Sequence, residues 1–126
     1  MKFKEWLFSE SVRHKSVGFL RFKKPPVVVV EVDKDIVEYY VKLIPKNVSY
    51  TIPTAPPHIV VSDSEKIQGN WGNLEGKKTS FEYENYVHSD KDHFWLNAYS
   101  DTIGEIRDML GLPNVSSYKI IIANKG

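Results

Sequence analysis

Cysteine is absent from the chain. That excludes a disulfide framework, a zinc–thiolate centre and a thiolate nucleophile. No apolar stretch approaches the roughly 18 residues of a membrane-spanning helix. The first residues, Met1 to Trp6, show no apolar segment of a secretory leader. These absences predict a cytoplasmic protein without a membrane partner. An excess of one charge is missing too. Seventeen Lys and Arg face sixteen Asp and Glu, for a net charge of +1. No overall field draws the molecule to nucleic acid, so duplex DNA is not an expected partner and any anion site must be local. No linker or low-complexity tract divides the 126 residues, which predicts one domain over 1–126. What is present, 41% hydrophobic and 26% charged residues, is ordinary for a globular fold.

The order of elements is read from periodicity. Residues 2–13 place Phe3, Trp6 and Leu7 at helical spacing, predicting an amphipathic N-terminal helix within 1–15. Strands are predicted over 17–23 and, from the β-branched run VVVVEV, over 27–32. Asp33 or Asp35 can cap a helix running to Ile44, and Pro45 closes it. Residues 46–57 carry three prolines and read as a loop with a short edge at Val48–Ile52 that can pair with another chain. A long Gly- and Asn-rich loop follows Ser62 and holds Trp71, which either stacks on a ligand or plugs the loop onto the body. Strands follow over 79–88 and 92–99. In the latter, Phe94, Leu96 and Ala98 form a core face, while His93, Trp95, Asn97 and Tyr99 form a polar, aromatic one. Thr102 to Glu105 matches a capping box for a helix ending at Gly111, and the last strand spans 117–123. The fold class is α+β. The two halves are loosely alike: antiparallel strands, one helix, then a strand.

Those two final strands carry the chemistry. One is PHIVVS, residues 57–62; the other is YKIIIA, residues 118–123. Side chains two apart share a face of a strand, so His58, Val60 and Ser62 point one way, and Lys119 and Ile121 form a corresponding pair.

The segments PPHIVVSDSE and FWLNAYSDTIGEIRDMLGLPNVSSYKIIIANKG resemble the 2H phosphoesterase superfamily, the LigT or 2′-5′ RNA-ligase-like fold, and more closely a small phage-encoded branch of it. The resemblance covers about 70 residues well, from Pro56 to Gly126. It implies two pseudo-symmetric lobes of antiparallel sheet around a central cleft, with helices outside. Each lobe would contribute one His-x-Thr motif. The two histidines would serve as base and acid on a phosphodiester, the hydroxyls would hold its oxygens, and no metal or cofactor would be needed.

The chain departs from that pattern at three of four positions. His58 stands where the first histidine belongs. Val60 replaces the first threonine, Lys119 the second histidine and Ile121 the second threonine. Valine and isoleucine give phosphate no hydrogen bond, and a lysine offers only a point charge. Loss of an acid–base partner removes about 10²–10⁴-fold of rate. The resemblance therefore implies a catalytically degenerate protein that binds a nucleotide, a cyclic nucleotide or a short oligonucleotide, and in a phage setting sequesters a host defence signal. The expected ligand-binding set is His58, Val60, Ser62, Lys119, Ile121, Trp95, Tyr99, Trp71 and Arg21, with Lys23 as a further cation. Two alternatives stay open. One is a residual 2′,3′-cyclic or 2′-5′ phosphodiesterase pairing His58 with His88 or His93. The other is a protein-interaction module whose cleft floor Val60 and Ile121 make apolar.

Overall fold

The alternating run VGFLRF builds β1 (Arg13–Lys23), whose Leu20 is wholly buried while Phe19 faces out. In a computed structural model of the chain, the described residues are 13–23, 27–63 and 71–125, without the side chains of Trp71 and Gly72. The strand begins four residues before its expected start. Arg13, His14 and Lys15 pair with Glu84, Tyr83 and Glu82, so charge complementarity across the strands extends β1 into the span expected as helix. The rest of that expected helix, residues 1–12, lies outside the described residues.

The remaining elements follow the predicted order. β2 (Val27–Glu31), α1 (Lys34–Val41), a two-residue β3 (Tyr50–Thr51) and β4 (His58–Asp63) form the first half. After a 3₁₀ turn at Trp71–Leu74 come β5 (Lys78–Ser89), β6 (His93–Tyr99), α2 (Asp101–Met109) and β7 (Tyr118–Lys125). Asp33 caps α1 by accepting from the Asp35 amide. The cap of α2 is Ser100, whose hydroxyl accepts from the Ile103 amide, and not Thr102 as the motif predicts. Gly111, at φ 76°, closes α2 in a left-handed turn, with the Leu112 amide reaching back to the Arg107 carbonyl.

All pairings are antiparallel, in the order β3-β7-β4-β2-β1-β5-β6, and β6 pairs again with β7. Six strands thus close a barrel, with β3 as an addition beside β7. Its interior is filled: Leu20, Val28, Val30, Ile59, Leu96, Ile120 and Ile122 are all fully buried. The α+β class holds. The cleft expected between two lobes is occupied by this core, because the halves share one continuous sheet.

The halves are nonetheless alike. The first contributes β1, β2 and β4 as neighbours, the second β5, β6 and β7, each with its helix between the last two. They join along two seams, β1–β5 and β4–β7. At the second seam Ile59 pairs with Ile120. These are the residues that follow His58 and Lys119, so equivalent positions meet each other, as strands related by a local two-fold must.

At β1–β2 the chains come close. A methyl group on Gly18 would lie 2.3 Å from the Glu31 carbonyl oxygen, which is why that position has no side chain. Arg107, buried in α2, donates to the carbonyls of Val61 and Pro113 and ties the helix to β4 and to its own exit loop. Among the described residues no helix is long and apolar enough to cross a membrane.

Candidate functional site

The β4–β7 seam presents both expected motifs on the outer face of the barrel. Ile59 and Ile120 point inward, so His58, Val60, Lys119 and Ile121 point outward. The antiparallel register sets His58 beside Ile121 and Val60 beside Lys119. His58 and Lys119 are then diagonal neighbours on adjacent strands, roughly 7–8 Å apart at the backbone. They do not confront each other across a hollow between lobes. They share one surface, and the hollow lies beside it.

Ser62 does not share that surface. Val28 pairs with Ser62 and Val29 with Val60, so Val61 is an extra residue in β4. This bulge turns both Val61 and Ser62 inward, each 1% exposed. The Ser62 hydroxyl has no hydrogen-bond partner among the described residues and faces the core.

A second bulge shapes the site. Phe94 pairs with Ala123 and Trp95 with Ile121, so Ile122 is extra in β7. Ile122 and Ala123 both turn inward, and Asn124 comes out beside His93. Outward His58, Ile121, His93 and Asn124 consequently line one cavity of about 350 Å³. Its other walls are Ile52 and the prolines 53, 56 and 57, and Lys34, Val37 and Glu38 of α1. The His58 ring is fixed there: Nδ1 lies 2.8 Å from the Pro56 carbonyl oxygen. A carbonyl only accepts, so Nδ1 carries the proton, and in the neutral ring Nε2 keeps its lone pair.

Trp95 lies beside the seam, but its ring is already sandwiched. His88 of β5 stacks on it with centroids 5.6 Å apart and planes at 20°. From the β7 side the Lys119 ammonium stands 4.1 Å from the ring centroid. The indole N–H donates to the Asn97 side-chain oxygen at 2.9 Å, and the Asn97 amide then donates to Nε2 of His88 at 3.0 Å. A base can stack on Trp95 only by displacing one of these neighbours. The sandwich follows from β6 standing between two strands that each present a polar group at that level.

Other expected residues lie apart. The Tyr99 hydroxyl donates to Glu84, and its ring lies under the Arg13 guanidinium at 3.9 Å, so the side chain turns toward β5 and β1. Its hydroxyl is held above the usual tyrosine range, first by that hydrogen bond to Glu84. Arg21 and Lys23 both reach Glu31, at 3.2 and 3.8 Å, so their charge is locally neutralised. The side chain of Trp71 lies outside the described residues. His88 is consumed by Asn97 and Trp95, whereas His93 shares the cavity with His58.

Sequence reasoning missed the wall. Pro53 and Pro57 read only as parts of a proline-rich loop, and nothing singles out Lys34 and Glu38 on their helix. No periodic signal connects either to His58. Among the described residues no group of three or more His, Asp or Glu can hold a metal. Comparison of the chain with family models, with curated proteins and with solved structures finds no match.

Proposed function

We propose that this chain is a 2H-phosphoesterase-like protein that has lost the family's catalytic pair and binds a nucleotide through its phosphate at the β4–β7 seam. The observation that supports this most is the pairing of Ile59 with Ile120 between two halves of the same strand–strand–helix–strand order. It makes His58 and Lys119 equivalent positions on one face, 61 residues apart in sequence. A phosphate between them would meet the Lys119 ammonium from one half and, from the other, the His58 imidazolium, with Nδ1 held by Pro56 and Nε2–H as donor. Lys119 would leave the Trp95 face to reach it, and the vacated ring face would accept an apolar part of the ligand. The flanking Val60 and Ile121 supply no donor, which favours holding over cutting.

Calorimetry on the full chain with 2′,3′-cyclic, 3′,5′-cyclic, cyclic di- and cyclic trinucleotides tests the reading. Binding is expected, weakened at least about tenfold by Lys119→Ala, the loss of one charged hydrogen bond. The absence of any binding at millimolar ligand would contradict it.

A second reading has its own observation: His58 and His93 line the same cavity. With Nε2 of His58 taking a proton from a water that attacks phosphorus, and the His93 imidazolium giving one to the ribose oxygen whose bond to phosphorus breaks, the pair would hydrolyse a 2′,3′-cyclic phosphate to a monoester. Turnover abolished by both His58→Ala and His93→Ala would favour that enzyme. Turnover indifferent to both would remove it.

A further inference from the structure

We infer that the cavity beside His58 is a guanine pocket, and that the ligand of the seam is a guanine mononucleotide; this rests on the nucleotide reading above. The first support is size. A cavity of about 350 Å³ lies at the small end of ligand sites, which span roughly 300–1,000 Å³. That is room for one base with its sugar. The second is the lining. Pro53, Pro57 and Ile52 give apolar surface against which a flat ring can pack.

The third support is the polar edge. Lys34 and Glu38 lie four residues apart on α1, one helical turn, and both line the cavity. Among the described residues neither takes part in a salt bridge. Together they offer a cationic donor next to an anionic acceptor. The pairing edge of guanine presents O6 as acceptor, then N1–H and N2–H as adjacent donors. The Glu38 carboxylate can take both donors at once, and the Lys34 ammonium can reach O6. Adenine offers an acceptor at N1 where the carboxylate needs a donor. Uracil offers one donor flanked by two acceptors. Cytosine offers a single amino group beside two acceptors. Only guanine leaves no like charges or lone pairs opposed. The phosphate is then at the rim, where His58 lines the cavity and Lys119 stands on the adjoining strand.

The test measures binding of GMP, IMP, AMP and UMP to the full chain by calorimetry. GMP is expected to bind at least about tenfold more tightly than AMP or UMP, with IMP, which lacks the 2-amino group, in between. Glu38→Gln should erase most of that preference, because it weakens GMP and removes the anion opposed to adenine N1. Glu38 is exposed, and an unchanged thermal melt confirms that the variant folds. Lys119→Ala should weaken all four alike. Equal affinity for GMP and AMP, or a preference intact in Glu38→Gln, overturns the guanine assignment while the seam still binds phosphate. Failure of all four to bind overturns it, and, if the cyclic nucleotides fail as well, the reading on which it rests falls too.

Discussion

Single side chains at the seam separate the outer face of the barrel from its core. Ser62 and Lys119 stand in corresponding stretches of β4 and β7, yet one is 1% exposed and the other lies open to solvent. A buried hydroxyl without a partner costs about 1–3 kcal/mol of desolvation. Ser62→Ala is therefore expected to raise stability by about 1 kcal/mol in urea unfolding and to leave nucleotide affinity untouched. A loss of affinity in that variant would return Ser62 to the site. The sequence led the other way because a period of two continues until something interrupts it. A bulge is such an interruption, and Val60-Val61-Ser62 carries no glycine or proline to announce one. The equivalent bulge at Ile122 is silent for the same reason. By contrast, the faces of His58 and Lys119 were legible, since Ile59 and Ile120 sit before both irregularities.

Elements were mostly legible where the pattern was long. α1 shows Ile36, Val37 and Tyr40 on its buried face, as the spacing predicts. β6 buries Phe94, Leu96 and Ala98 and leaves Trp95 and Asn97 on the other side. The ends were harder. Thr102 has the right motif, but Ser100 sits where β6 ends and its hydroxyl also donates to the Ser80 carbonyl, so tertiary contact chose the cap. The β5–β6 turn makes its own prediction. The Asp90 carboxylate accepts from the amides of Asp92 and His93, both at 2.8 Å. Those two bonds hold its carboxyl below the usual aspartate value of 3.8, with smaller help from the His93 and Lys119 charges. A lowered value in the folded state means that the stabilisation is present above 3.8 and is lost as pH falls through the lower folded value. The protection of the Asp92 and His93 amides relative to their intrinsic exchange rate should fall in the native chain as pH drops through the acid range. Asp90→Ala should show that lower protection already at neutral pH. Identical protection in the two proteins would discount the turn bonds.

At the scale of the molecule, the packing of the helices on the closed barrel buries Tyr40 and Tyr118 and half-buries Tyr83. The hydroxyls of Tyr40, Tyr83 and Tyr118 are all pushed above the usual 10.0, first by burial. Tyr118 is raised although the Arg107 charge opposes it. A raised value in the fold means that stability is complete below 10.0 and is lost as the unfolded chain ionises above it. The melting temperature should therefore fall steeply once pH passes 10.0, and Tyr118→Phe should flatten that fall. A melting curve indifferent to alkali would mean that these hydroxyls are solvated. The duplicated order of strands and helices was readable from the chain. The closure that turns two halves into one barrel was not, because no local pattern encodes which strands meet at a seam. That closure moved the expected hollow from between the halves to the flank of the seam, under the 52–57 loop and α1.

The most direct measurement follows the side-chain resonances of His58 and Lys119 by NMR while the full chain is titrated with GMP. One shared phosphate predicts that the imidazole and ε-methylene signals move together with a single midpoint, and that each stops moving when the other residue is replaced by alanine. Movement of one signal without the other, or two separate midpoints, would show that the seam holds no common anion.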